Sequence, residues 1–167
     1  PDAVVIPPDM AKYKRVSNDI RAIFFAATSV FEPVSLDEAY LDLTDDWRTE
    51  APPAAEALAT IAARVEREVG ITVSIGLAPN KFLAKLASDL EKPDGLVVFP
   101  VEDIASRLWP LPVERLWGVG PKTAQVLHRG GLRTIGDIAR LPERTLATLV
   151  GDGMAAHLGA LSHGKDD

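Results

Sequence analysis

The sequence predicts an α+β fold in which strands and helices alternate at first and a small all-helical part follows. Apolar, β-branched runs of strand length are interleaved with amphipathic helical segments, and the strand signal ends after Pro100. Charge divides the 167-residue chain at nearly the same place, because residues 1–109 sum to −7 and residues 110–149 to +3. We therefore expect two modules with different partners and a boundary near Leu108–Pro112.

The first part of the chain begins with a short strand, Val4-Val5-Ile6, which two prolines end. Asp9 is placed to cap a helix whose apolar positions recur at steps of three and four. Two strand-like runs, 30–34 and 39–44, then flank Ser35-Leu36-Asp37-Glu38 and indicate a hairpin.

The later elements follow from helix stop signals and β-branched runs. In order they are a helix from Pro52-Pro53 to Val69, a strand Ile71–Leu77, a helix from Pro79 to about Leu90, a strand Leu96–Phe99 and a short helix Val101–Trp109. Gly70 stops the first of these helices and the turn Lys92-Pro93-Asp94-Gly95 follows the second. Beyond Pro112 only short helical pieces separated by glycines and prolines are expected.

Composition excludes several classes of site. There is no cysteine, which rules out disulfides, thiol catalysis and Cys-ligated metals, and the three histidines are scattered. No apolar stretch is long enough to span a membrane and no signal peptide is evident, so we expect a soluble, cytoplasmic protein without a membrane partner. The net charge of −6 argues against a surface coated in basic charge for nucleic acid.

The first candidate site is the carboxylate pair Asp37-Glu38. At a hairpin corner both side chains can turn toward one cleft, and hard cations such as Mg²⁺ take one or two carboxylates with waters and substrate phosphates completing the shell. A two-metal phosphoryl or nucleotidyl transfer site uses such a pair. A solvated Asp-Glu turn is the alternative, although apolar neighbours such as Leu36 and Leu41 predict that the acids lie inside folded structure.

The second candidate site is Trp117-Gly118-Val119-Gly120-Pro121-Lys122, followed by a helix, a Gly-Leu turn and the start of another helix. This order is the helix-hairpin-helix pattern. Two glycines let the backbone turn sharply and expose successive N–H groups, and Pro121 begins the second helix. That helix N-terminus can hold a DNA phosphate without reading the base sequence, with added charge from Lys122.

Lysines near the second helix–turn–strand segment form a third group. Lys92 lies in the Lys-Pro-Asp-Gly turn, while Lys81 and Lys85 are one turn apart on a helix face. A lysine beside a carboxylate site can reach triphosphate oxygens. By spacing alone, however, each of them is a solvated helix-end lysine, and Lys81 and Lys85 are expected to be structural or solvated.

Three motifs together resemble the Y-family of translesion DNA polymerases, most of all its bacterial type. The run from Ser35 to Asp42 is similar to the catalytic palm motif of that family. Residues 73–88 with the turn 92–95 resemble the next palm segment, and Trp117 to Gly120 with its hairpin resembles the thumb. The resemblance covers nearly the whole chain and implies a palm over 1–109, mainly an antiparallel sheet with packed helices, and an all-helical thumb over 110–167.

The resemblance also implies residue roles. Asp37 would ligate the Mg²⁺ ions, two per active site in the complete enzyme, and Glu38 would support the metal that activates the primer 3′-hydroxyl. Lys92 matches the lysine that touches the incoming dNTP. Gly118, Val119, Gly120 and Lys122 would grip the backbone of primer–template DNA independently of sequence.

Other parts of the family pattern do not map onto this chain. They are the N-terminal strand aspartate, the steric-gate aromatic, the fingers tyrosine and arginine, and the C-terminal little finger. We therefore expect a remainder of the palm plus the thumb, monomeric and with little or no polymerase activity by itself. The sliding clamp is expected to bind through a C-terminal region outside this sequence.

Two other functions remain open at this point. One is a polymerase-like DNA-binding accessory protein that has lost catalysis. The other is a stand-alone helix-hairpin-helix module joined to an unrelated α/β partner.

Overall fold

A computed structural model describes residues 3–44 and 53–166, and within them the chain forms seven α-helices and four short strands. The predicted α+β class is confirmed. The contacts divide the chain into two units, Pro1–Ser74 and Ile75–Asp167.

The first unit contains two helices and one hairpin. Its elements are α1 (Met10–Phe25), β1 (Phe31–Pro33), β2 (Ala39–Leu41) and α2 (Ala54–Val69). As predicted, Asp9 caps α1, its carboxylate accepting a hydrogen bond from the Lys12 amide at 3.0 Å. Gly70 ends α2 in the left-handed conformation at φ 80°, which only glycine adopts without strain. Ile23 of α1 and Ile61 and Val65 of α2 are buried and form the core of this unit.

The predicted hairpin is confirmed. Strands β1 and β2 pair antiparallel, with Phe31 opposite Leu41 and Pro33 opposite Ala39. The hydroxyl of the buried Thr28 donates to the Asp42 carbonyl at 2.9 Å and accepts from the Val30 amide at 3.1 Å. Thr28 thereby joins the two strands at the open end of the hairpin.

The second unit begins with a strand–helix–strand segment and continues as short helices. Its regular elements are β3 (Ile75–Leu77), α3 (Lys81–Leu90), β4 (Leu96–Val98), α4 (Pro121–Arg129), α5 (Ile135–Ala139), α6 (Glu143–Val150) and α7 (Asp152–Ser162). Strands β3 and β4 pair in parallel. The predicted short helix after Pro100 is a 3₁₀ turn over Val101–Asp103 and a π-helical turn over Ile104–Leu108, and a further 3₁₀ turn spans Val113–Arg115.

One continuous hydrophobic core joins the elements of this second unit. Phe82 and Leu83 of α3 and Leu158 of α7 are all fully buried in it. Polar contacts add to this packing at the N-terminus of α3, where Asn80 is the N-cap. The Asn80 side-chain amide donates to the Gly164 carbonyl at 2.7 Å, and the Phe82 amide donates to the Asp166 carboxylate at 3.0 Å. The segment after α7 is therefore bound to the start of α3.

Several predicted strands differ from those observed. Val4–Ile6 is not a strand, and its three side chains are 80–89% exposed. A β-propensity run becomes a strand only when another strand pairs with it, and none of the described residues does so. For the same reason the strand predicted from Ile71 starts only at Ile75, where β4 pairs with it. Pro52, predicted to open α2, lies outside the described residues.

The sheet also differs in detail from the expected one. The described strands form two separate two-stranded ladders, one antiparallel and one parallel, rather than one mainly antiparallel sheet. The division into units after Ser74 falls elsewhere than the predicted palm–thumb boundary at 109/110. That boundary assigns functions to segments, and it stays a prediction.

Over the described ranges, none of the helices combines the length and apolar character needed to cross a membrane.

Candidate functional site

The Asp37-Glu38 pair occupies the turn that connects β1 to β2. Ser35 organises this turn, because its hydroxyl accepts hydrogen bonds from the amides of Asp37 and Glu38 at 3.2 and 3.1 Å. The same hydroxyl donates to Asp37 Oδ1 at 2.6 Å. The Ser35 carbonyl accepts from the Arg21 guanidinium at 3.1 Å, which ties the turn to α1. The turn thus sets the position of the Asp37 carboxylate through a short local network.

The two acids are exposed, which corrects the expectation that they lie inside folded structure. The apolar neighbours Val34 and Leu36 are themselves 54% and 39% exposed. The described hairpin is a two-stranded ribbon with no third strand beside it, so its turn is not covered. Because the two side chains are exposed, binding a ligand at this turn does not carry the cost of burying their charge.

The chemistry of this turn suits a hard divalent cation in part. Carboxylate oxygens are the ligands Mg²⁺ takes, commonly one or two per ion. Within the part of the chain that the structure describes, no group of three or more His, Cys, Asp or Glu residues converges as a metal site. Asp37 and Glu38 could therefore hold such an ion only as part of a ligand set that other donors complete.

Lys92, the predicted dNTP-binding residue, belongs to the second unit. Its ammonium lies 2.6 Å from Asp89 Oδ1, and the Lys85 ammonium lies 3.9 Å from the same oxygen. Partial burial by itself raises the pKa of Asp89. The hydrogen bond from Lys92 and the charges of Lys85, Lys92 and Arg115 outweigh that effect and hold the pKa below its ordinary value. Asp89 is thus a carboxylate at the centre of a small basic cluster.

The predicted helix-hairpin-helix is present, with the 3₁₀ turn Val113–Arg115 in place of a full first helix. Gly118 has φ 86°, and Gly120 is the N-cap of α4 with Pro121 at its first turn. Val119 is buried and its amide donates to the Leu116 carbonyl at 3.1 Å, so this residue anchors the hairpin in the core. Any contact of Val119 with DNA therefore involves its backbone.

The exposed side of the hairpin is open to a ligand. Gly118, Gly120 and Lys122 are exposed, and a side chain added at Gly120 would meet no atom within 4 Å. The N-terminus of α4 has the positive end of the helix dipole and free-pointing N–H groups in its first turn. Backbone geometry and Lys122 together match what sequence-independent phosphate binding requires.

The hairpin also has supports that the sequence analysis did not find. The Trp117 ring packs edge-to-face on the buried Phe82 of α3, with ring centroids 5.5 Å apart. His157 of α7 lies with Nε2 3.2 Å from the Trp117 carbonyl oxygen. Forty positions separate these two residues, so no local pattern pairs them. The acidic partner of Lys92 was also missed, although the spacing of Asp89 and Lys92 by three residues in and just after a helix is a signal that could have found it.

Two family models match the chain. The impB/mucB/samB family matches residues 1–89, and the helix-hairpin-helix motif of the same family matches residues 101–132. Because both matches describe one family, they contradict the alternative of a stand-alone hairpin module joined to an unrelated partner.

The chain is also similar to curated proteins and solved structures. It is 47% identical over 166 residues to the DNA polymerase IV of Caulobacter vibrioides, and the aligned region covers 99% of this chain and 41% of that protein. It is 50% identical over 138 residues to the DNA polymerase IV of Ralstonia nicotianae, covering 83% of this chain and 38% of that one. The chain therefore spans about two fifths of the length of these relatives.

Among structures, DinB from Sulfolobus solfataricus superimposes on the whole chain with a TM-score of 0.86 at 29% identity, and the match covers 50% of that protein. An insertion ternary complex of Dbh DNA polymerase gives a TM-score of 0.87 at 30% identity over 100% of this chain and 48% of that one. Together with the family match over more than half of its residues, these similarities show that the chain belongs to the impB/mucB/samB family of Y-family DNA polymerases and corresponds to a segment of the DNA polymerase IV type.

Proposed function

We propose that this chain contributes to template-directed DNA synthesis past lesions, as the palm (residues 1–109) and thumb (residues 110–167) of a DNA-directed DNA polymerase. The observation that supports this most is the exposed Asp37-Glu38 pair, held by Ser35 in a hairpin turn inside the region that matches the family. Because the chain spans only part of its relatives, we propose further that it is catalytically incomplete by itself.

In this proposal Asp37 and Glu38 hold Mg²⁺ together with phosphates, waters and donors from outside the described residues. A divalent ion bound there would polarise phosphoryl oxygens and favour ionisation of the attacking hydroxyl. Neighbouring residues of the chain position the carboxylates of the turn. Ser35 orients the Asp37 carboxylate, and Arg21 holds the Ser35 carbonyl.

Lys92 is proposed to contact the triphosphate of the incoming dNTP. The Lys92 side chain is 53% exposed and its ammonium is bound to Asp89, so a triphosphate has to compete with that carboxylate or share the lysine with it. The hairpin Gly118-Val119-Gly120 with Lys122 is proposed to hold the DNA backbone through N–H groups and charge. A sliding clamp remains a proposed partner through a region beyond this chain, and the monomeric state remains a prediction.

Primer extension tests the proposed incompleteness. The chain is incubated with a primed template, dNTPs and Mg²⁺, and we expect no extension above a no-protein control. Robust extension would contradict the proposal that residues outside this chain are needed.

Metal binding at the turn can be tested by NMR, without an activity assay. In ¹⁵N-labelled protein, added Mn²⁺ should broaden the amide resonances of Asp37 and Glu38, because a paramagnetic ion relaxes nearby nuclei. The variant Asp37→Asn/Glu38→Gln should lose the effect. The exposed cap residue Asp9 is the matched control and should not respond beyond background. Equal broadening at Asp9 and Asp37 would refute a specific site.

DNA binding by the hairpin is tested by fluorescence anisotropy with a labelled duplex at several salt concentrations. Lys122→Gln should weaken binding and reduce the slope of log K against log[salt] by about one, the value for one phosphate contact. Lys165→Gln serves as a control of equal charge change that lies after α7. If both variants change the slope equally, the contact is not specific to the hairpin.

A second candidate function is a non-catalytic, polymerase-like DNA-binding protein. It is favoured by the well-formed hairpin, whose exposed Gly118, Gly120 and Lys122 can hold a phosphate without any metal ion. DNA binding that depends on Lys122, with no Mn²⁺ response at Asp37 and Glu38 even when DNA and dNTP are present, would support this function instead.

A further inference from the structure

We propose that His157 is a positioning residue for the DNA-binding hairpin, holding the Trp117–Gly118 peptide in the orientation that presents the following N–H groups. This role rests on the proposed DNA-binding function of the hairpin. Three residues form this contact: His157 on α7, and Trp117 and Gly118 at the entry of the hairpin.

The contact between α7 and the hairpin is made to the backbone. Nε2 of His157 lies 3.2 Å from the Trp117 carbonyl oxygen. A carbonyl oxygen can only accept, so the proton of this bond is on Nε2 of the imidazole. A Cβ added to Gly118 would lie 3.6 Å from His157 Cδ2 and 3.6 Å from Met154 Sδ. Two α7 side chains thus border the peptide unit that begins the turn.

That peptide unit decides where the hairpin donors point. Gly118 has φ 86°, and a glycine can occupy several other backbone regions at little cost. Rotation of the Trp117–Gly118 peptide would change the direction of the Gly118 N–H and alter the path to Val119 and Gly120. The hydrogen bond from His157 opposes that rotation.

The hairpin entry is held on two sides. The Trp117 side chain is held by the buried Phe82 through an edge-to-face contact, whereas its carbonyl is held by His157. The first contact leaves the peptide plane free to rotate, because it involves only the ring. His157 therefore supplies the restraint on the backbone that Phe82 cannot.

A pre-organised turn lowers the entropic cost of ordering it on DNA. Loss of one hydrogen bond of ordinary strength corresponds to about a three- to tenfold change in an equilibrium constant. We expect His157→Ala to weaken binding of the chain to a fluorescein-labelled DNA duplex by about that factor. His157→Gln should restore most of the affinity, because the glutamine amide can also donate to the Trp117 carbonyl.

His163 provides the matched control. It is a second histidine at the end of α7, and its Nδ1 lies 3.0 Å from the Gly159 carbonyl within the same helix. His163→Ala removes an imidazole of the same kind without touching the hairpin, and the affinity for the duplex should stay unchanged.

Amide hydrogen exchange of the protein without DNA gives a second readout. The Val119 amide, bonded to the Leu116 carbonyl, should exchange faster in His157→Ala than in the wild type and slow again in His157→Gln. Unchanged exchange in His157→Ala overturns the positioning role whether or not DNA binds.

The two proposals fail in different ways. If the wild type does not bind duplex but Val119 exchange depends on His157 as expected, the proposed DNA-binding function is wrong and the restraint on the hairpin stands. If the wild type binds and His157→Ala binds equally well, the positioning role is wrong. Equal weakening by His157→Ala and His157→Gln also overturns it, because the hydrogen bond would then not be the cause.

Discussion

Replacing Gly76 with alanine is expected to destabilise the Ile75–Asp167 unit by about 3 kcal/mol or more, at the upper end of the range for overpacked cores. Gly76 is the central residue of β3, where the strand lies directly against α3. A Cβ at this position would fall inside contact distance of the Ala84 carbonyl oxygen, 2.6 Å from the Ser88 amide nitrogen and 2.8 Å from Ala87 Cβ.

The size of the effect follows from what has to move. Two of these three atoms belong to the backbone of α3, so no side-chain rotation relieves the overlap. To restore ordinary van der Waals separation of about 3.5 Å, strand and helix must part by on the order of 1 Å. Phe82, Leu83 and Leu86 of α3 are buried in the core, and their packing loosens with that shift.

Urea and thermal unfolding measure the loss. In a Trp47→Phe background, tryptophan emission comes from Trp109 and Trp117, which both belong to this unit. For a domain of this size, a loss of 3 kcal/mol lowers Tm by roughly 12 to 24 °C. The control is Gly159→Ala within α7, where an added Cβ meets nothing within 4 Å, and it should stabilise by about 0.5–1 kcal/mol. A Gly76→Ala midpoint equal to the wild type would refute the close-approach argument.

Two further substitutions test polar contacts of the same unit. Asp137→Asn should cost about 1 kcal/mol at pH 7, because Asp137 completes a capping box with Thr134. Its carboxylate accepts a hydrogen bond from the Thr134 amide, and the Thr134 hydroxyl accepts one from the Asp137 amide. The backbone hydrogen bonds from Thr134 and its neighbour hold the pKa of Asp137 below its ordinary value. The contribution of Asp137 to the free energy of unfolding is therefore complete above the ordinary pKa of an aspartate, and it is lost as the pH falls through the lowered pKa. Urea titrations at several pH values measure this, and an equal free energy of unfolding for variant and wild type throughout would contradict it. Asp166→Ala should lower the free energy of unfolding by about 1 kcal/mol, because its carboxylate no longer accepts the hydrogen bond from the Phe82 amide. Lys165→Ala is the neighbouring control. Equal Tm values for the two variants would show that the contact does not stabilise the unit.

Local signals in the sequence were sufficient to predict most of the helices and both hairpins. Asp9 at the start of α1 and Gly70 at the end of α2 act within one turn of their own positions, and both perform the predicted role. The Gly-Val-Gly run predicted the second hairpin for the same reason. Strand predictions were less accurate, since Val4–Ile6 has strand-forming residues but no partner among the described residues.

The candidate site was predictable in composition but not in environment. The sequence predicted Asp37 and Glu38 at a turn, and the structure places them there. Their exposure was not foreseen, because burial depends on which elements cover a hairpin and not on its own residues. Their roles, and those of Lys92 and the hairpin residues, remain predictions.

The amino-acid sequence alone therefore determined the α+β class, the family, the acidic turn and the helix-hairpin-helix, because caps, glycine turns and motif order act over a few neighbouring residues. Only the tertiary structure decided what holds these parts in place. The Asp166 carboxylate accepts a hydrogen bond from the amide of Phe82, 84 positions earlier in the chain. The His157 imidazole bonds the carbonyl of Trp117, 40 positions earlier. Such contacts form only when packing of the core brings distant segments together, and the hydrophobic pattern that drives this packing does not specify which polar atoms will meet.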